Sequence, residues 1–279
     1  MIILKARDRR RPMAAWTAAV LAVAALGAPG LAQEVKSQDR IAEFPKYTIS
    51  RVPFQPGERM EFDFTWNGIP AATGISVVEK GKFGDREAYR FKLTARTTET
   101  IDTFWKMRSE LESFAALDTL SPLKYVLSVR QNSKHRVTTV LYDHNDHIAK
   151  SVRQKFDQNK VSHRAIKFQS PFDPIAVAYF VRCLDLNVGD EKKLEMVDGR
   201  NIYLIQVNVA KKEEIAVKAG KFRTLKTVPK YVRLTERDEF TVHEAFIWLT
   251  DDERRIPVKL ESKVVIGSVC GELARYERK

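Results

Sequence analysis

The sequence predicts an all-β protein, mainly antiparallel, with a curved, sandwich-like or barrel-like sheet and one buried helix near residues 173–186. Three observations carry this expectation. Apolar and polar residues alternate with period two through most of the chain beyond residue 58, as half-buried strands require. Clusters of Gly, Pro, Asn and Asp recur at the short spacing of antiparallel sandwiches and barrels. The repeated helical crossovers of a parallel βα fold are absent.

In the first strand Met60, Phe62, Phe64 and Trp66 share one face, and Glu61, Asp63 and Thr65 share the other. Gly68-Ile69-Pro70 breaks it, and Gly74 to Lys80 starts the next. Gly81-Lys82-Phe83-Gly84-Asp85 then turns into a strand over Tyr89 to Thr97. Ser109–Ala115, Leu123–Gln131 and His135–Tyr142 continue the pattern. Asp143-His144-Asn145-Asp146 is a turn, since Asn and Asp tolerate left-handed backbone, and His147–Phe156 returns antiparallel. Further strands are expected at Tyr203–Ala210, Glu214–Val217, Phe222–Pro229, Glu239–Leu249, Val258–Ile266 and Val269–Tyr276. The exception is Asp173-Pro174 followed by the apolar run Ile175 to Leu184. Asp suits a helix N-cap and Pro the first helical position. This helix is apolar nearly all round, which predicts burial at one end or face of the sheet. Asn187-Val188-Gly189-Asp190 ends it.

The front of the chain reads as an address. Lys5, Arg7, Arg9, Arg10 and Arg11 precede an apolar run from Met13 to Leu26, and Gly30-Leu31-Ala32 supplies small residues. That order is a secretory signal peptide cleaved near Ala32, and the run falls short of the roughly 20 residues a spanning helix needs. Pro12-Met13 stands where a twin-arginine signal carries a bulky apolar pair, so export in the unfolded state is expected. Without a cysteine at the cleavage site, a lipid anchor is disfavoured. The expected organisation is a leader over 1–32, a loose polar arm over 33–52 and a β-rich domain over 53–279. No other stretch has the length of a transmembrane anchor.

The whole chain carries a formal charge of +12, and the leader's five basic residues and one acid leave +8 on the remainder. In Tyr89-Arg90-Phe91-Lys92-Leu93-Thr94-Ala95-Arg96 the basic residues alternate with apolar ones. They therefore decorate the wet face of a strand and form no dense patch, which together with export argues against nucleic acid. Two cysteines remain, Cys183 and Cys270. An oxidising compartment would let them pair, for about 4 kcal/mol of loop-closure stabilisation; the other reading is two separately buried thiols.

Several motifs also fall in a known order. Pro53-Phe54-Gln55-Pro56-Gly57-Glu58 and Phe64-Thr65-Trp66-Asn67-Gly68-Ile69-Pro70-Ala71-Ala72 resemble the opening of the exported bacterial family called domain of unknown function 3108. The likeness continues through Thr94-Ala95-Arg96-Thr97, Leu117 to Pro122, Phe172-Asp173-Pro174-Ile175 and Tyr179-Phe180-Val181-Arg182. It includes Ala219-Gly220-Lys221-Phe222, Ile247 to Asp252, Arg255-Ile256-Pro257-Val258 and Ile266-Gly267-Ser268, covering about residues 53–273. Ala176 stands where the resemblance leads one to expect serine, and Cys183 and Cys270 look like local additions. The resemblance implies a periplasmic, β-rich protein of Gram-negative type with no established reaction, and it supplies no catalytic residues.

The chemical constellations are thin. His144 and His147, with His135 and His163 on neighbouring hairpins, lack the four convergent N or S ligands of structural zinc. Asp251-Asp252-Glu253 lacks the spaced ligands and central glycine of a calcium loop. Gly267-Ser268-Val269-Cys270-Gly271 sits in β pattern, whereas a nucleophile elbow needs Gly-x-Ser-x-Gly at a strand-to-helix turn. His243-Glu244 lacks the second histidine of a zinc protease. No catalytic residue, metal or cofactor is therefore assigned.

The candidate ligand-binding residues are Trp66, Trp105, Arg108, Arg182 and Trp248. Tryptophans fill β cores or line pockets in curved sheets. Arg182, in an apolar helix, either pairs with an internal carboxylate or meets an anionic ligand group. The leading functional reading is non-enzymatic binding of an envelope lipid or lipoprotein acyl chain. Its alternatives are an envelope scaffold for a protein or glycan partner, and a cell-wall hydrolase using Cys270 with a histidine.

Overall fold

The computed structural model describes residues 43–234, 245–263 and 267–278. The expected leader, residues 33–42 of the arm, the start of the strand Glu239–Leu249, His243-Glu244 and the end of Val258–Ile266 lie outside these. The strands are β1 (Arg59–Trp66), β2 (Ile69–Phe83), β3 (Arg86–Thr97), β4 (Met107–Ala116), β5 (Pro122–Gln131), β6 (Lys134–Asp143), β7 (Ile148–Lys155) and β8 (Lys160–Lys167). They continue as β9 (Pro171–Phe172), β10 (Glu191–Val197), β11 (Ile202–Val217), β12 (Gly220–Arg233), β13 (Ala245–Thr250), β14 (Pro257–Lys263) and β15 (Ser268–Glu277). A one-turn helix, α1 (Glu99–Asp102), follows β3, and α2 (Ala176–Cys183) follows β9.

All these strands form a single sheet, in the order β8-β7-β6-β5-β4-β3-β2-β1-β15-β14-β13-β12-β11-β10-β9. Every neighbouring pair is antiparallel except β9–β10. Because β1 pairs with β15, the two halves of the chain meet at the centre of the sheet, and β8 and β9 are its open edges. The sheet curls so that the inner faces of both halves share one apolar core around α2.

The alternation expected in β1 holds: Met60, Phe62 and Phe64 are buried and Asp63 is exposed. Phe64 lies flat across its neighbours because Gly74 on β2 and Gly271 on β15 have no side chain. A Cβ on Gly74 would sit 2.9 Å from the Phe64 ring, and one on Gly271 would collide with the ring and Leu260.

Asp173 starts the helical segment as anticipated. Its carboxylate accepts the N–H groups of Ile175 and Ala176, both at 2.8 Å, and its carbonyl accepts Val177 N–H at 3.0 Å. Pro174 occupies the turn just before α2, so the helix proper is shorter than the expected segment. It ends at Leu184, which is extended and donates to the Val181 carbonyl. The described part of the arm lies against this core. Phe44 packs on Leu204 and Val232, Tyr47 reaches the Phe180 ring at 6.4 Å, and its hydroxyl accepts Lys193 N–H.

Five strands differ from expectation. β8 exposes six consecutive side chains, Lys160 to Ala165, so no apolar face marks it. β9 is two residues long, and β10 begins with charges and then buries both faces from Leu194 to Val197. β11 is one strand where two were expected, because a bulge between Val209 and Lys211 interrupts its alternation. β2 runs through Pro70, which lies beside a bulge in the β1 pairing, a place where a strand tolerates proline.

Candidate functional site: an apolar cleft beside the buried helix

Of the eight residues of α2, Ala178 and Val181 are not buried in the core. They are three apart and so share one side of the helix. Facing them are Met60, Phe62 and Phe64 of β1, Leu93 and Ala95 of β3, Ile205 and Val207 of β11, and Ile247 and Leu249 of β13. The gap between helix and sheet is a partly open cleft of about 120 Å³ with walls that are almost wholly apolar. An engineered apolar cavity of about 150 Å³ takes up benzene or xenon, so the space suits one ring or the end of an alkyl chain.

The polar atoms bordering the cleft already have partners. Ser76 Oγ and the Tyr179 hydroxyl bond to each other at 2.9 Å, and Thr227 Oγ1 donates to the Ile247 carbonyl at 3.0 Å. Burial pushes the Tyr179 phenol up to about 12, so it stays a neutral hydrogen-bonding group. Tyr179 is fixed by stacking on Phe91 at 4.1 Å and by the edge of Phe54 at 4.9 Å.

Arg182 is 2% exposed and forms a bidentate pair with the fully buried Glu58, Nη1 to Oε1 at 2.6 Å and Nη2 to Oε2 at 2.9 Å. It also donates to the Arg254 carbonyl, while the Tyr276 hydroxyl donates to Glu58. Burial pulls the guanidinium pKa down, but the bonds and charge of Glu58 outweigh it and hold the pKa above its usual value. Arg182 thus borders the cleft as half of a closed ion pair. Of its two sequence readings, pairing with an internal carboxylate is the one the geometry realises.

The other four candidates are not among the residues lining the cleft. Trp105 is buried in the core after α1. Arg108 makes a bidentate contact with Asp102, at 3.0 and 2.5 Å, and its Nη1 also donates to Met107 O and Thr97 Oγ1. Trp248 donates to Glu213 at 2.7 Å and lies under the ammonium groups of Lys226 and Lys259. Trp66 ends β1, partly buried against the core. The expectation that Arg108 or Arg182 is free to receive an anionic head is therefore corrected: each is already neutralised by a carboxylate.

Sequence reasoning missed Glu58, which stands in the Pro53–Glu58 motif but has its partner 124 positions away. It also missed Ala178 and Val181, whose i, i+3 spacing was the available signal. Both cysteines are free thiols, Cys183 buried and Cys270 partly so, and burial raises them to about 12 and about 11. His144 and His147 both pack edge-on against Phe168. Asp252 closes its turn by bonding Thr250 Oγ1 and Arg254, and Asp251 pairs with Lys212.

Fold and cleft define an open, barrel-like β protein with a helix set into its hollow. The chain belongs to the family described as protein of unknown function DUF3108, whose model matches residues 61–274. Among solved structures it is similar to a beta-barrel-like protein of domain of unknown function DUF1849 from Brucella abortus. That likeness has 14% identity and a TM-score of 0.50, over 80% of this chain and 97% of the other. Weaker likenesses are to an exported-protein candidate with a YmcC-like fold from Bacteroides fragilis (11% identity, 81% and 98% covered, TM-score 0.33) and a lipoprotein candidate from Parabacteroides distasonis (10%, 84% and 100%, 0.34). No curated protein matches the chain. Among the described residues no helix is long and apolar enough to cross a membrane.

Proposed function

We propose that the protein works in the periplasm as a non-enzymatic binder of an apolar or amphipathic envelope component, with an acyl chain of a lipid or lipoprotein as its ligand. One observation carries this reading: beside α2 the curled sheet leaves an unfilled cleft with almost no polar atom seeking a partner. Each methylene moved from water into such a site contributes about 0.8 kcal/mol before ordering costs. The cleft admits the end of the chain and the remainder follows its open side. With Arg108 and Arg182 already paired, the anionic head stays in solvent. The basic, apolar and small segments before Gln33 support the location.

Filling the cleft tests the reading. In Ala178→Phe the new ring occupies the gap between α2 and β1. Native mass spectrometry of the gently purified wild-type chain should show bound lipid, and displacement of a fluorescent fatty acid should confirm uptake. Ala178→Phe should lose both while keeping the wild-type circular dichroism. Equal lipid uptake by the folded variant, or no uptake by the wild type, would remove the proposal.

A further inference from the structure

Outside the lining of the cleft, one face of β6 and β7 holds arginines that make no ion pair with a carboxylate among the described residues. Arg136 on β6 lies opposite Lys155 on β7, and Arg153 on β7 lies opposite Thr138. The two arginines are thus diagonal neighbours on one face, about 7–8 Å apart at the backbone. The turn between β10 and β11 adds a third. Ser151 Oγ donates to the Gly199 carbonyl at 2.5 Å and Arg164 Nη1 to the Arg200 carbonyl at 2.6 Å, tying the turn to β7 and β8. Gly199 permits this approach: its φ is +83°, and a Cβ there would strike Val140 and Ser151.

Among the described residues, the guanidinium groups of Arg136, Arg153 and Arg200 make no ion pair, and the buried Nε of Arg153 has no hydrogen-bond partner. The acid whose charge reaches both Arg136 and Arg153 is Asp198, and its oxygens are already committed. Oδ1 accepts Arg200 N–H and Asn201 N–H at 2.7 Å each, and Oδ2 accepts the Tyr203 hydroxyl at 3.4 Å. Burial, followed by the charges of Arg136 and Arg200, brings the Arg153 pKa down to about 10. Arg136, Arg153 and Arg200 feel one another's charge, and against them stand Asp198, whose oxygens are occupied, and Asp157, which reaches Arg136; positive charge is in excess along this face. A tetrahedral phosphate oxyanion matches this excess, because its oxygens accept from more than one guanidinium fork at once.

We propose that Arg136, Arg153 and Arg200 form a phosphate-binding site, independent of the apolar cleft. The phosphate is either free or carried on a lipid headgroup, and the experiment separates the two. The full chain is titrated calorimetrically at fixed ionic strength with inorganic phosphate and, separately, with glycerophosphoglycerol, a headgroup phosphodiester that carries no acyl chain to enter the cleft. Chloride is the control anion. Saturable binding of inorganic phosphate identifies the free ion, and saturation by the phosphodiester alone identifies the headgroup. Either should weaken about ten-fold or more in Arg136→Gln and Arg153→Gln and be unchanged in Lys218→Gln. On the wild type, the Arg153 Nε–H resonance should shift with the same saturation, a readout that needs no variant to fold. No saturation by either probe, or a static Nε–H resonance during saturation, would overturn the site.

Discussion

At the scale of single residues, the consequential group is the Glu58–Arg182 pair. Both charges are out of water, and each depends on the other to offset desolvation. Glu58→Ala should therefore cost about 3–5 kcal/mol in urea unfolding, because it strands a buried guanidinium among Phe54, Tyr179 and Tyr276. Replacing both partners with apolar residues should cost less than Glu58→Ala alone. A Glu58→Ala loss below about 1 kcal/mol would mean that water reaches the pair. Asp173 gives a second residue-scale prediction. Burial raises its pKa from 3.8 to about 6, although Ser113 Oγ and two backbone N–H groups bond to it. The folded chain thus holds this proton longer than the unfolded chain, so Asp173 lowers stability as pH rises from about 4 through about 6. The loss approaches about 3 kcal/mol above that window. Asp173→Asn keeps an acceptor for the helix start and should flatten this part of the stability–pH curve. Parallel curves for wild type and variant would contradict the raised pKa.

At the scale of elements, the legible parts of the sequence were those with one wet and one dry face. β1 shows it directly, with Met60, Phe62 and Phe64 inward and Asp63 outward. β8 and β10 were illegible for opposite reasons: the first buries almost nothing, and the second buries both faces along its final four residues. Neither leaves a period-two trace. The helix was legible through Asp173, Pro174 and the apolar run, yet which of its sides borders a cleft was not. That depends on where β1, β3, β11 and β13 come to lie. The turn between β10 and β11 is the joint between this part of the sheet and β6–β7, so Gly199→Ala should be costly beyond its strained backbone. Overpacking against Val140 and Ser151 should lower stability by about 1–3 kcal/mol and speed hydrogen exchange in β6 and β7. Unaltered exchange there would show that the turn is not docked.

At the scale of the whole molecule, the order of strands explains why the cleft exists. Pairing β1 with β15 places the two ends of the domain side by side and leaves β8 and β9 as unjoined edges. The curl is wide enough to admit α2, and the helix fills the hollow without sealing it. Long-range pairings of this kind, such as Glu58 with Arg182, are invisible to local pattern, so the sequence led to tryptophans and arginines that turned out to be packed or paired. The anticipated curved antiparallel architecture is present; the walls of the cleft come from phenylalanines, tyrosines and aliphatic residues, and the expected tryptophans are not among them. The central claim concerns that interior and can be tested where it is made. Isotope-filtered nuclear Overhauser spectra of the labelled chain with an unlabelled fatty acid report which protons the guest touches. Contacts from acyl methylenes to the Ala178 and Val181 methyl groups and the Phe62 ring are the predicted result. Contacts confined to exposed side chains such as Ile69 and Phe104, with none to α2, would contradict it.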